Sequence, residues 1–151
     1  MSSQPPSPPT APLAVLLYDG ECGFCQRIVH VLLRHDAAGR LHYAALQSPP
    51  AQTFLRTQGL PTQDFDSLVF VPDWNNPTPG AYHLRTEGAL AAARVVGGPL
   101  RLLAWLQWMP RRWRDAAYRQ IARCRYTLFG RHRPGPLPNP EWQERFLGDP
   151  P

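Results

Sequence analysis

Tyr18-Asp19-Gly20-Glu21-Cys22-Gly23-Phe24-Cys25 joins a continuous apolar run, Leu13 to Tyr18, to a segment with helical periodicity. A Cys-x-x-Cys pair where a strand pattern hands over to a helix pattern reads first as a redox motif. The spacing supplies the reason. Positions i and i+3 of a helix share a face, so Cys22 and Cys25 can come within disulfide reach of one another. A Cys22 in the first turn also lies among unpaired N–H groups at the positive end of the helix dipole, which favours a thiolate over a thiol. Helix geometry further predicts Cys22 at the exposed first turn, as the attacking sulfur, and Cys25 one turn deeper, as the resolving one.

Outward from this stretch, Leu13-Ala14-Val15-Leu16-Leu17-Tyr18 is apolar without alternation, the pattern of a central strand buried on both faces. On the other side, Phe24, Ile28, Val31, Leu32 and His35 recur at helical spacing, while Arg27, His30 and Arg34 fall on another face. Gly39 stands just past that helix, and Leu41 to Leu46 reads as a second strand, which makes a β-α-β unit with a parallel pairing as the expectation. Ser48 as cap, Pro49 at the first helical position and Gly59 with Pro61 as the stop bound a second helix. Leu68 to Val71 and Ala81 to Arg85 read as a hairpin with a long turn-rich loop. Thr86 is the expected cap of a third helix running to Gly97-Gly98. The order β-α-β-α-β-β-α, with Cys-x-x-Cys after the first strand, predicts an α/β thioredoxin-like fold: a mixed sheet with helices on both faces.

At 151 residues and 43% hydrophobic content, the chain suits one domain with appendages. The expected organisation is a Pro-rich disordered tail over 1–12, a thioredoxin-like core over 13–97, a helical extension packed on the core over 98–130 and a Pro-rich C-terminal tail over 131–151. Three cysteines do not make the disulfide framework of a small secreted domain, so a reducing compartment, the cytoplasm, is expected. The N-terminus has no Lys or Arg before Arg27, and the run Leu13 to Tyr18 is too short for a signal-peptide core or a membrane span. The net charge of +5 is carried by arginine alone, since the chain contains no lysine.

The resemblance to a known family rests on several segments in order. Asp19-Gly20-Glu21-Cys22-Gly23-Phe24-Cys25 resembles the Asp-Gly-x-Cys-x-x-Cys signature of the DCC family of predicted thiol-disulfide oxidoreductases, which are thioredoxin-like. Leu41-His42-Tyr43-Ala44-Ala45-Leu46-Gln47-Ser48, Asp66-Ser67-Leu68-Val69-Phe70-Val71 and Ile121-Ala122-Arg123-Cys124-Arg125-Tyr126-Thr127-Leu128-Phe129-Gly130 are similar to the family's pattern too. The likeness covers roughly residues 13 to 130, and combined motifs of this kind are more specific than a lone Cys-x-x-Cys. It implies thiol-disulfide exchange at Cys22 and Cys25, and it alone suggests that Arg125 and Tyr126 reach the active-site helix. Thioredoxins and glutaredoxins carry a cis-proline before the third strand, facing the cysteines, whereas this chain has Asp66-Ser67-Leu68 there.

The remaining candidates are weighed residue by residue. Asp19 is either a buried carboxylate relaying a proton from the resolving thiol or a turn residue and cap. Zinc is the rival use of the cysteine pair, but a structural site wants four ligands, and only Cys124 and scattered histidines remain. His30, His35 and His42 read as surface or satisfied residues, and Cys124 as a small buried hydrophobe. No metal, flavin or other cofactor is expected. Pro99 to Met109 is apolar nearly all round, which argues for burial or an interface. Trp113, Ala117, Ile121, Cys124 and Leu128 form the apolar stripe of a following helix. Eight arginines lie between Arg111 and Arg133 against one acid, Asp115, and read as a solvated face. No groove-reading motif accompanies them, so nucleic acid is not an expected partner, while peripheral membrane contact stays open. Asn139 to Leu147 reads as a capped helical turn docking Trp142 and Phe146.

The function expected is thiol-disulfide oxidoreductase, an enzyme with catalytic Cys22, Cys25 and Asp19. Its partners would be a disulfide-containing protein or small molecule and an electron donor of unspecified identity. The alternative is a non-enzymatic thioredoxin-like binding module using the Arg/Trp-rich C-terminal helices.

Overall fold

Every residue of β1 (Ala14–Tyr18) is buried, as a strand without polar alternation requires. The computed structural model, which describes residues 13–63, 68–129 and 140–147, sets this strand inside a four-stranded sheet of order β2-β1-β3-β4. β2 (Leu41–Ala45) runs parallel to it, with Tyr18 opposite Ala45. β3 (Val69–Val71) runs antiparallel to β1, and β4 (His83–Leu84) antiparallel to β3, so the expected hairpin is present with a shorter second strand.

The strand period of two divides the core between the two faces of the sheet. Leu16 and Tyr18 of β1 pack in one cluster with Val29 and Leu32 of α1 (Gly23–His35) and with Ala92 and Val96 of α3 (Arg85–Val96). Val15 and Leu17 face the other way, onto Phe54 and Leu55 of α2 (Pro49–Gln58). On that face Trp74, from the β3–β4 loop, stacks on Phe54 at 5.3 Å. A mixed sheet with α1 and α3 on one face and α2 on the other is the α/β, thioredoxin-like arrangement.

Local signals decide the helix ends. α2 stops at Gly59, whose φ of 70° closes the helix while the Leu60 N–H donates to the Leu55 carbonyl at 2.8 Å. Ser48 occupies the cap position of α2, but its hydroxyl turns back to donate to the Ala45 carbonyl at 2.6 Å. Thr86 is not the cap of α3. That helix begins one residue earlier, at Arg85, and the Thr86 hydroxyl donates instead to the Arg114 carbonyl at 3.4 Å. α3 can lie close to the hairpin because residue 88 is glycine; a Cβ there would sit 2.7 Å from the His83 carbonyl oxygen.

Beyond α3 the chain forms a 3₁₀ arm (Gly98–Trp108) and then α4 (Arg111–Phe129). Leu100 of the arm packs against the core, whereas Leu102, Trp105 and Trp108 are exposed. The apolar stripe of α4 faces solvent at Trp113, Ala117 and Ile121, while Cys124, expected to be buried, is half-buried. Polar ties choose the docked side instead. The Tyr118 hydroxyl accepts from the Leu68 N–H at 3.0 Å, and Arg111 lies 3.5 Å from Glu87 and 3.7 Å from Asp115. Asp66, Ser67 and Asn139 lie outside the described residues, as do the side chains of Arg125, Tyr126 and Leu128.

A short 3₁₀ strap (Pro140–Arg145) returns to the β2 edge. Phe146 is buried between the rings of Tyr43 and Tyr18, with centroids 5.6 Å and 6.3 Å away, and Trp142 packs against the same cluster. The Leu147 N–H donates to the Tyr43 carbonyl at 2.8 Å. Arg145 donates to the Asp36 carbonyl at 2.9 Å and lies 3.5 Å from its carboxylate, so that fully buried charge has a cationic partner.

Candidate active site

The turn between β1 and α1 stands at the carboxyl end of the central strand, where the sheet order changes direction; open α/β sheets place their sites at such points. Cys22 is the N-cap of α1, with extended backbone at φ −94° and ψ 117°, and the helix proper begins at Gly23. The Cys25 N–H donates to Cys22 Sγ at 3.4 Å, within reach for sulfur. The sulfur of residue 22 therefore takes the place that a serine or aspartate oxygen holds in an ordinary cap. An amide donor at the positive end of a helix stabilises negative charge on that sulfur.

The burial of the pair differs from the sequence expectation. Cys22 is 0% exposed and Cys25 3%, so the residue expected at an exposed first turn is the more enclosed of the two. The cause is the cap geometry. A helical residue in the first turn points outward, but an extended N-cap residue folds its side chain back over the turn, here into the cluster that contains Tyr18 and Val29. No disulfide joins Cys22, Cys25 or Cys124 among the described residues, and Cys124 sits on α4, away from this turn in sequence and element.

Asp19 is 3% exposed and structurally engaged. Its Oδ1 accepts from the Glu21 N–H at 3.0 Å and from Gln47 Nε2 at 2.8 Å, while its carbonyl accepts from the Cys22 N–H at 3.2 Å. Gln47 Oε1 accepts in turn from the Gly20 N–H at 3.0 Å, so one amide side chain clamps both residues of the turn. A side chain on Gly20 would crowd that clamp, since its Cβ would lie 3.2 Å from Gln47 Oε1. Gln26 Nε2 donates to the Gly20 carbonyl at 3.2 Å from below.

Gln47 and Gln26 are the site residues that motif reading missed. Gln47 was recoverable from topology, because a parallel register of Tyr18 with Ala45 brings the residues just after each strand side by side. Gln26 carried no such signal. The Tyr18 hydroxyl and Gln26 Oε1 are buried, and neither meets a partner of ordinary hydrogen-bond geometry among the described residues. Burial pushes the Tyr18 phenol well above its usual range; nearby Gln26 lowers it in part and the neighbouring Cys25 adds to the rise. Among the described residues, no three His, Cys, Asp or Glu side chains gather as metal ligands. His30 lies 6.2 Å from the Trp142 ring, His35 contacts the Val31 carbonyl at 2.8 Å, and His42 is on β2; none is part of the turn.

With this geometry in hand, comparison with known proteins settles the relationship. The family profile described as DCC1-like thiol-disulfide oxidoreductase matches residues 16–131. The chain belongs to this family. It is 36% identical over 136 residues to the uncharacterized protein YuxK of Bacillus subtilis, covering 90% of this chain and 95% of that one. It is 30% identical over 118 residues to the DCC family protein At1g52590, chloroplastic, of Arabidopsis thaliana, covering 78% of this chain and 65% of that one. No solved structure matches the chain significantly. Family membership points to redox activity, and neither relative's name assigns a substrate. Among the described residues no helix is long and apolar enough to cross a membrane.

Proposed function

We propose that this protein is an enzyme of thiol-disulfide exchange in which Cys22 attacks and Cys25 resolves. The observation that carries the reading is the Cys22 sulfur as N-cap acceptor of the Cys25 N–H, in a family named for this chemistry. The Cys22 thiolate attacks one sulfur of a substrate disulfide, a new Cys22–substrate disulfide forms, and the other substrate sulfur leaves and takes up a proton. The Cys25 thiol gives up its proton, its sulfur attacks Cys22 Sγ, and the second substrate thiolate departs. The substrate disulfide gains two electrons and the cysteine pair loses them; a thiol or dithiol donor then restores the pair. Since Cys22 is fully enclosed, attack requires the turn from Asp19 to Gly23 to open, and its two glycines, Gly20 and Gly23, suit that movement.

Asp19 is proposed as the residue that receives the Cys25 proton, directly or through one water, because it is a buried carboxylate on the same turn. The substrate is a disulfide in a protein or a small molecule, and the compartment a reducing one, the cytoplasm, in keeping with a chain of three cysteines that lacks a disulfide framework. Incubation of the reduced protein with a model peptide disulfide tests the reading. The expected result is release of both peptide thiols with formation of an intramolecular Cys22–Cys25 disulfide. Unchanged peptide and two free thiols in the folded protein would favour the non-enzymatic binding module.

A further inference from the structure

The charge of the molecule and its exposed apolar side chains are concentrated in the same segment. Residues 98–129 hold seven arginines against one acid, Asp115, a net of +6 in a chain whose total is +5. The rest of the chain is therefore near neutral, at −1. The same segment carries Leu102 at 68% exposure, Trp105 at 77%, Trp108 at 92% and Trp113 at 69%. The thiol-exchange reading uses none of these residues.

Geometry arranges them into a ridge. A 3₁₀ helix has three residues per turn, so side chains three apart stand above one another. Along the arm Gly98–Trp108 this aligns Leu102, Trp105 and Trp108, the outermost row, while Leu103 and Leu106 form a half-exposed row beside it. On α4, Trp113, Ala117 and Ile121 follow at helical spacing as an exposed apolar stripe. Arg112, Arg119 and Arg123 form a second exposed stripe on the same outer side of α4, with Ala116 and Gln120 between the two.

From these features we infer that residues 98–129 form a docking surface for an anionic lipid bilayer, on which the protein lies without spanning. Protruding Trp and Leu side chains enter the boundary of headgroups and acyl chains, and arginines beside them pair with lipid phosphates. No described helix can cross the bilayer, so the contact is peripheral. The apolar row argues against a nucleic acid, because Leu102, Leu103 and Leu106 gain nothing from a phosphate backbone. The charge argues against a second copy of the chain, because two such faces would oppose +6 with +6. A bilayer with acidic headgroups satisfies both features together.

Flotation of the full-length protein with vesicles tests the inference, using phosphatidylcholine alone and phosphatidylcholine mixed with phosphatidylglycerol. The wild type should float with the mixed vesicles and not with the neutral ones, and added salt should release it. Arg112→Gln, Arg119→Gln and Arg123→Gln together should lower the partition about a hundredfold, at about fivefold per arginine. Trp105→Ser with Trp108→Ser should lower it about tenfold, through lost apolar insertion. Both sets change exposed side chains, and unchanged thermal melting would show that the fold is intact. Absence from anionic vesicles, or equal binding to neutral ones, would overturn the inference. So would retention on duplex DNA that is unaffected by the tryptophan changes, or a dimer abolished by them in a protein that ignores vesicles.

Discussion

Replacing Gln47 by alanine removes the clamp on the Asp19–Gly20 turn while leaving both cysteines untouched. Two hydrogen bonds disappear: Gln47 Nε2 to Asp19 Oδ1 at 2.8 Å and the Gly20 N–H to Gln47 Oε1 at 3.0 Å. A hydrogen bond to a charged group contributes about 1.5–3 kcal/mol, and one to a neutral surface amide about 0.5 kcal/mol. Gln47 is solvent-exposed, so water replaces part of what is lost, and Asp19 Oδ1 keeps the Glu21 N–H. The lower end applies, giving a loss of about 2 kcal/mol for Gln47→Ala. For a domain of this size that corresponds to a melting temperature about 4–8 °C lower, measurable by circular dichroism or urea titration. The first attack on a model disulfide should quicken, because it requires the turn from Asp19 to Gly23 to open and the Gln47 bonds hold that turn closed. Wild-type melting together with wild-type exchange in Gln47→Ala would refute the clamp as a structural element of the site.

Two other outcomes follow from the same geometry. Asp19→Asn should retard resolution of the mixed disulfide while the first attack proceeds near the wild-type rate, as stopped-flow thiol release can separate; equal resolution rates would reduce Asp19 to a turn residue. Burial first, and then the Arg145 charge, lower the His42 pKa, with Asp36 opposing them. The unfolded chain thus protonates His42 more readily than the folded one, and stability should fall as pH drops through the unfolded value of about 6.5. His42→Gln should flatten that part of the stability profile in urea titrations at successive pH values, and an unaltered slope would remove His42 as its source.

The fold was legible because its deciding signals are local and of high contrast. Leu13 to Tyr18 has no polar alternation, so it could only be a strand covered on both faces, and the glycine at residue 59 marks a helix end by backbone conformation alone. The Cys-x-x-Cys turn was legible for the same reason. What escaped depended on side-chain direction or on distant partners. The outward position expected for Cys22 assumed helical backbone, whereas the residue is an extended cap whose sulfur turns inward. The apolar stripe of α4 is exposed at Trp113 and Ile121, because polar anchors between Tyr118, Arg114 and Arg111 and the rest of the fold dock the side beside it. Hydropathy cannot register such anchors, because a Tyr hydroxyl and a backbone N–H fifty residues away form one bond only after both are placed.

The division of labour within the cysteine pair is the central claim, and trapping of mixed disulfides tests it most directly. Cys25→Ser protein should attack through Cys22 and remain joined to its substrate, since no neighbouring thiol completes the exchange. Cys22→Ser should trap nothing, because a hydroxyl is too weakly ionised near neutral pH to replace a thiolate, and Cys124→Ser should behave as wild type. Non-reducing electrophoresis and mass spectrometry of each variant taken from cells read the result. The account predicts adducts on Cys22 in Cys25→Ser alone; adducts in Cys22→Ser and none in Cys25→Ser would reverse the roles and contradict it.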